Sequence, residues 1–350
     1  LKPDFDSPGK KTNNFLRWLP GLLISAIALF ALSRFVNVGN SLQILRSTNF
    51  AYFLLMLLFT AGFLFVRSIG WKALLGKKAK YWQVFLKVNE GYFINNIFPF
   101  KLGEISRAVF MGATMQVNPG KILSTIVMER VIDLFILAVF LLSLLPFAVG
   151  MEWVKSIAWV ILGLVVIGLV ILFFVVKNSR IVNSFLVKIG SRSAFIKKYI
   201  LPFVFSVLDG FQSLQSTSQL IAGFLGILGS WLVSFVQYSV LLYLLVDSPK
   251  IWWGAFTNTI LALGVAMPSA PAGLGIFESS IVAALNLFNI QRDTALAYAL
   301  LMHVAQFLIT SVIGFFALMK DGYSLRGLFT SLLRQKEIQS KNEFSGEHNE

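Results

Sequence analysis

Long apolar stretches dominate the chain, and short polar segments separate them. Residues 18–32, 49–66, 122–145, 153–176, 220–246 and 295–319 are predominantly apolar, and about 20 such residues let a helix cross the hydrocarbon core of a bilayer. These six stretches are read as full transmembrane helices, the first of them short. Two further regions break the pattern. Segment 83–115 is apolar but is interrupted by Lys87, Asn89, Glu90, Asn95 and Asn96, and it then reaches Pro99. A proline lacks the backbone N–H and restricts the residue before it, so one helix stops at Phe98 and a second starts near Leu102. Segment 251–289 consists of two apolar pieces divided by PSAPAGLG. Pieces so short and so polar suit re-entrant helical hairpins, whose irregular backbone is lined by protein or water.

Composition agrees with an all-α polytopic membrane protein. The chain has 350 residues, 57% hydrophobic and only 13% charged, where soluble domains carry about a quarter charged residues. The net charge of +14 changes the picture only through its distribution. Basic residues gather at 67–81 and 177–198, which the positive-inside rule places in the cytoplasm together with an N-terminal segment 1–17 and a polar, partly disordered tail 320–350. The sparsely basic loops at 34–49, 146–152 and 247–250 then fall outside. Segment 199–214 mixes a long apolar face with Asp209, Gly210 and Gln212 and reads as an interfacial helix. Such basic loops meet anionic lipid headgroups first, and no basic patch with interleaved aromatics points to nucleic acid. No cleavable signal pattern follows Arg17. The chain has no cysteine, so disulfides and thiol chemistry are excluded. It also lacks a zinc-binding HExxH, a phosphate-binding GxxxxGK[ST] loop and a dinucleotide fingerprint. No metal or cofactor is expected.

The two interrupted regions resemble each other. NNIFPFKLGEISRA, from Asn95, and VAMPSAPAGLGIFESS, from Val265, each place proline and then glycine in a break before a short helix with an early glutamate. Pro99 and Gly103 precede Glu104; Pro268, Pro271, Gly273 and Gly275 precede Glu278. Within one transmembrane domain, 18–319, this divides the chain into repeat-like halves at 49–145 and 220–319. If 199–214 does not cross, three crossings separate the hairpins and they enter from opposite sides. Inverted repeats with discontinuous helices are a transporter architecture with the substrate between them. Ordinary proline kinks without chemistry are the alternative. Charge weighs against them, because ionised side chains at membrane depth normally face the protein interior or a wet path.

In MERVID, Glu129 and Asp133 are four apart and Arg130 and Asp133 three apart, so all three can meet on one helix. Two readings stay open. Either the ions are a packing network, or Arg107 and Arg130 hold a phosphate, for which the planar guanidinium fork is suited. In the second reading Lys101, Asn95 and Asn96 line the phosphate site, while Glu104, Glu129, Asp133 and Glu278 couple charge to it. Helix N-termini at the breaks add unpaired N–H groups. His303 and Gln306, three apart on the last span, form either a satisfied polar pair or a proton relay.

NNIFPFKLGEISRAVF, MERVID and MPSAPAGLGIFESS together resemble the signature regions of the lysylphosphatidylglycerol synthase transmembrane-domain family, also described as flippase-like or UPF0104 membrane proteins. The likeness runs over roughly residues 15–320. It implies a polytopic inner-membrane protein that acts on an anionic phospholipid or a lipid-linked sugar. The positions it carries over are Asn95, Pro99, Gly103, Glu104 and Arg107; Glu129, Arg130 and Asp133; and Pro268, Gly273, Gly275 and Glu278. With only a short polar tail after the last span, no soluble aminoacyl-transferase domain is expected. The expected function is a lipid translocase. A membrane glycosyl- or phospho-transferase using a lipid-phosphate carrier is the alternative, and a non-catalytic component of an envelope-lipid synthesis complex, partnered by a synthase, is a third. A homo-oligomer is compatible with each.

Overall fold

The computed structural model describes residues 15–98, 101–149, 163, 167, 217–267 and 269–322, and the regular elements among them are helical. In chain order they are α1 (Phe15–Phe35), α2 (Val38–Ser47), α3 (Phe50–Leu75), α4 (Tyr81–Ile97), α5 (Leu102–Met115), α6 (Pro119–Val149), α7 (Thr217–Leu245), α8 (Ile251–Ala266), a 3-10 turn (Pro271–Gly273), α9 (Ile276–Asn286) and α10 (Arg292–Lys320). Among the described residues α3, α6, α7 and α10 are long and apolar enough to cross a membrane. The chain is an all-α, polytopic membrane protein. Its outward faces carry Leu54, Leu58 and Ile69 on α3 and Leu225, Leu232 and Val236 on α7, all exposed, as a surface wetted by acyl chains requires. The expected span 153–176, the basic loop 177–198 and the interfacial helix 199–214 lie outside the described residues, apart from two isolated helical positions, Gly163 and Ile167. So do Pro99, Pro268, most of segment 1–17 and most of the tail.

Three boundaries differ from the sequence reading. Segment 34–49 is not a plain loop: after α1 the chain bends by 82° into α2. Asn37 caps α2 by accepting from the Asn40 N–H at 3.2 Å. Asp293, at the start of α10, clamps the bend by accepting from the Asn37 N–H at 2.9 Å and from Asn40 Nδ2 at 3.0 Å. Helix α3 does not end at Val66 but continues to Leu75, because its buried face keeps helical spacing through Met56, Thr60, Leu64, Arg67, Trp71 and Leu74. Helix α6 runs on past Pro146, so this proline sits in the last turns of the helix instead of ending it.

Helices α3 and α7 form the most extensive pair. They meet backbone to backbone: a Cβ at Gly226 would lie 2.5 Å from the Gly70 Cα, and one at Gly70 would lie 2.8 Å from the Ile227 N. Small residues allow such an approach between membrane helices. Gln237 of α7 adds bonds from its Nε2 to the Met56 carbonyl at 3.1 Å and Thr60 Oγ1 at 2.9 Å.

Each interrupted segment folds as two short helices packed on one another, α4 with α5 and α8 with α9. In the first pair Gly103 lies against the Gly91 carbonyl so closely that no Cβ fits between them. The apolar interior divides accordingly. One buried cluster, including Ile94, Phe98 and Phe110, sits at the first break; another, including Leu241, Ile281, Leu285, Tyr298 and Met302, sits beside the second; a third, including Trp71, Val84, Val88, Met111 and Ile126, joins α3, α4, α5 and α6.

Candidate functional site

The first break is built by side chains as much as by backbone. Lys101 adopts the left-handed conformation (φ 51°, ψ 42°) and leads into α5. Asn95 Oδ1 accepts from the Gly103 N–H at 2.8 Å, satisfying one of the otherwise orphaned donors at the start of α5. Asn96 turns the other way and donates from Nδ2 to Thr310 Oγ1 at 3.0 Å and Ser311 Oγ at 2.9 Å on α10. Both asparagines therefore hold the break in place through protein contacts. Glu104, half-buried, occupies the first turn of α5, where the helix dipole favours a carboxylate. Further down the same hairpin Lys87 pairs with Glu90 at 3.1 Å and with Asp321 at the end of α10.

Beneath the break, three helices bring their charges together. Glu129, fully buried on α6, stands between three guanidinium groups. Its Oε1 accepts from Arg67 Nε at 2.9 Å, Arg67 Nη2 at 2.6 Å and Arg130 Nη2 at 2.9 Å, and its Oε2 accepts from Arg107 Nη2 at 2.7 Å. Asp133, one turn along α6, receives Arg67 Nη1 at 2.7 Å and Nη2 at 2.5 Å and lies 3.3 Å from Arg130 Nη1. Trp231 of α7 donates to Asp133 Oδ1 at 3.0 Å. The Arg107 guanidinium lies over the Trp71 ring at 4.0 Å, within cation–π range, and Trp71 in turn donates to Thr125 Oγ1 at 3.0 Å.

Charge and access are uneven within this cluster. Arg67, Arg107 and Arg130 face Glu129 and Asp133, which leaves one positive charge uncompensated. Arg67 and Arg107 are nearly sealed, with side chains 4% and 5% accessible, whereas Arg130 keeps 43% of its side chain open. The Nε groups of Arg107 and Arg130 are buried with no hydrogen-bond partner among the described residues. Lys101, exposed, lies within electrostatic reach of Arg130 and Glu104.

Arg107, Glu129, Arg130 and Asp133, expected from the sequence, thus converge, with Lys101 and Glu104 beside them. Arg67 was not among the expected site residues: it reads as the first of the basic residues at 67–81, yet it is 3% exposed and holds both acids of α6. The signal was its register. It continues the buried series of α3, three residues after Leu64 and four before Trp71.

The second break is held differently. Pro271 opens the 3-10 turn; Ala272 (φ 59°), Gly273 (φ 77°) and Gly275 (φ 83°) follow with left-handed backbone. Gly275 caps α9, and its N–H donates to Glu278 Oε2 at 2.8 Å. The Ala270 N–H donates to Ser25 Oγ of α1 at 2.8 Å. His303 does not pair with Gln306. Its Nδ1 lies 2.5 Å from Glu278 Oε1 and its Nε2 lies 3.1 Å from the Ala272 carbonyl oxygen, because the turn before α9 folds back onto α10. The cluster at the first break and the Glu278–His303 pair at the second are separate sites.

A family model described as the lysylphosphatidylglycerol synthase TM region matches residues 18–314. Two UPF0104 membrane proteins of Methanocaldococcus jannaschii are similar to the chain. One is 25% identical over 321 residues, covering 85% of this chain and 93% of that protein. The other is 25% identical over 231 residues, covering 65% of this chain and 92% of that protein.

Proposed function

The chain belongs to the family of the lysylphosphatidylglycerol synthase TM region, and from that membership we propose that it translocates an anionic lipid headgroup, its phosphate taken up by the arginine cluster of α3, α5 and α6. The observation that carries this reading is the surplus positive charge of the cluster together with the accessible Arg130 side chain. A phosphate oxygen arriving at Arg130 shares the guanidinium with Glu129 and Asp133, and a guanidinium can serve two oxygens in one plane. Lys101 meets the headgroup at the mouth of the break, and Glu104 offsets Lys101 once the headgroup has passed. The tails stay in lipid. An anionic phospholipid and a polyprenyl-phosphate-linked sugar offer the same phosphate chemistry.

In this reading 83–115 and 251–289 are re-entrant hairpins of an inverted repeat, entering from opposite sides of the inner membrane. Six stretches cross fully and both termini are cytoplasmic. The resemblance of the two helix–break–helix pairs supports it, as does the separate apolar cluster beside each break.

The test is headgroup crossing. Purified protein in vesicles bearing a trace phospholipid with a fluorescent headgroup is expected to speed the loss of inner-leaflet protection against a membrane-impermeant quencher. Arg130→Ala, reconstituted at equal abundance, is expected to slow that loss. Undiminished crossing by the variant would remove Arg130 from the proposed path.

A further inference from the structure

The bonds of His303 count its protons. Nε2 faces the Ala272 carbonyl, which can only accept, so this contact is a hydrogen bond only when Nε2 carries hydrogen. A neutral imidazole then has a bare lone pair on Nδ1, set 2.5 Å from Glu278 Oε1. Against an ionised carboxylate that is lone pair against lone pair. The other neutral tautomer satisfies Glu278 and leaves Nε2 bare against the carbonyl. Both contacts are satisfied together only when the pair holds one proton more than neutral imidazole plus carboxylate, whichever partner carries it.

Among the described residues, no other ionisable side chain bonds this pair. Glu278 and His303 are both buried, at 4% and 7% exposure. The Phe277 ring stacks on the imidazole, with centroids 4.2 Å apart and planes inclined by 16°. Glu278 Oε2 is engaged by the Gly275 N–H. Glu278 is the sole ionisable residue of α9, and α8 has none. On α10, Asp293 is bonded at the α1–α2 bend, Arg292 lies over the Phe35 ring, Lys320 is at the far end, and the Tyr298 hydroxyl bonds the Tyr238 carbonyl. On α4, Lys87 and Glu90 pair with each other and, through Lys87, with Asp321; Tyr81 donates to the Phe65 carbonyl, and Tyr92 lies near the arginine cluster. On α3, Arg67 is spent on Glu129 and Asp133, and Tyr52 and Lys72 lie toward the two ends of the helix. Arg34 closes α1, Arg46 closes α2, and Tyr243 lies near the end of α7.

We propose that Glu278 and His303 form a proton-binding site at the second break, which ties the 3-10 turn to α10 when occupied and releases it when the proton passes to water. Ala272 gives the site its mechanical consequence. It is a non-glycine residue in the left-handed region, a conformation that persists only where surrounding contacts hold it, and the bond to His303 Nε2 is one of those contacts. Loss of the proton leaves either Ala272 or Glu278 facing a bare nitrogen, so the turn lets go. The inference stands whatever ligand the arginine cluster takes.

The absence of cysteine allows one nitroxide label at Ser269→Cys, beside the turn, on the full chain in lipid nanodiscs. The label is expected to pass from an immobilised to a mobile spectrum as pH rises, in a single one-proton step. Glu278→Gln supplies a permanent amide donor to a bare Nδ1 while Nε2–H keeps Ala272, so its spectrum is expected to stay immobilised at every pH. His303→Leu is expected to be mobile throughout. A spectrum that ignores pH in the otherwise unaltered chain overturns the proposal, and so does a Glu278→Gln protein that titrates as its parent does. The Glu278→Gln result decides the matter even if the His303→Leu protein does not fold. No lipid movement enters these readings, so they remain informative if Arg130 proves irrelevant to translocation.

Discussion

Arg67 grips Glu129 from the neighbouring helix through two of its nitrogens, Nε at 2.9 Å and Nη2 at 2.6 Å, with both residues buried. The same guanidinium also takes both oxygens of Asp133. Arg67→Ala therefore removes four of the hydrogen bonds that these two carboxylates accept, leaving Glu129 to Arg107 and Arg130, and Asp133 to Arg130 and Trp231. Leaving a buried charge wholly unpaired costs about 3–5 kcal/mol; with Arg107 and Arg130 still in place the loss is expected to stay below that, and thermal unfolding in detergent to shift down by a correspondingly smaller step. Adding Asp133→Leu to Arg67→Ala should recover part of the loss, and a double-mutant cycle reads the coupling. Equal stability of Arg67→Ala and its parent would mean that these contacts do not form.

Gly103 and Gly62 make a matched pair of tests. A methyl at Gly103 collides with the Gly91 carbonyl and with Asn95 across the first break, whereas the nearest atom to a methyl at Gly62 is 3.8 Å away. Overpacking of this kind typically costs about 1–3 kcal/mol. Gly103→Ala should lower the unfolding temperature and Gly62→Ala should leave it nearly unchanged. Indistinguishable melting of the two would show that the hairpin has slack to spare.

Asp293 is expected to matter locally and not globally. Without its carboxylate the Asn37 N–H and Asn40 Nδ2 lose their acceptor, a loss of about 1 kcal/mol by analogy with helix caps. Hydrogen exchange in Asp293→Ala should quicken along Val38–Ser47 and leave α3 and α7 as they were. Unchanged protection of α2 would place the clamp elsewhere.

Asn96→Leu removes two bonds between α4 and α10 while preserving bulk. Interhelical bonds within membranes average roughly 0.6 kcal/mol and reach about 1.7, so a small drop in stability is expected. Thermal unfolding in detergent reads the drop, and an Asn96→Leu protein that melts with its parent would mean that the two bonds are not made.

Much of this architecture could be read from the chain before any fold was known, because long apolar runs admit few alternatives. The spans around α6, α7 and α10 fall where hydropathy puts them, and the second break falls at Pro271, Gly273 and Gly275. What escaped was set by tertiary contact. Lys72, Lys77, Lys78 and Lys80 made Arg67 look like one more aqueous cation, although its partners lie 62 and 66 positions away on α6. The bend between α1 and α2 depends on Asp293, at the opposite end of the sequence. His303 looked toward Gln306 on its own helix because nothing local announces that the turn before α9 folds back to meet it. Glu129, Arg130 and Asp133 were legible because helical spacing alone brings them together.

Helix α7 joins α6 to α10: Trp231 donates to Asp133, and the Tyr238 carbonyl receives the Tyr298 hydroxyl. Its seam with α3 at Gly70 and Gly226 leaves no thickness of side chain in which the two helices could slip. Helix α4 packs against α3, and helix α8 against α7. In the proposed translocation any rocking must leave this seam closed, since a single methyl group at Gly226 would be enough to force its two helices apart.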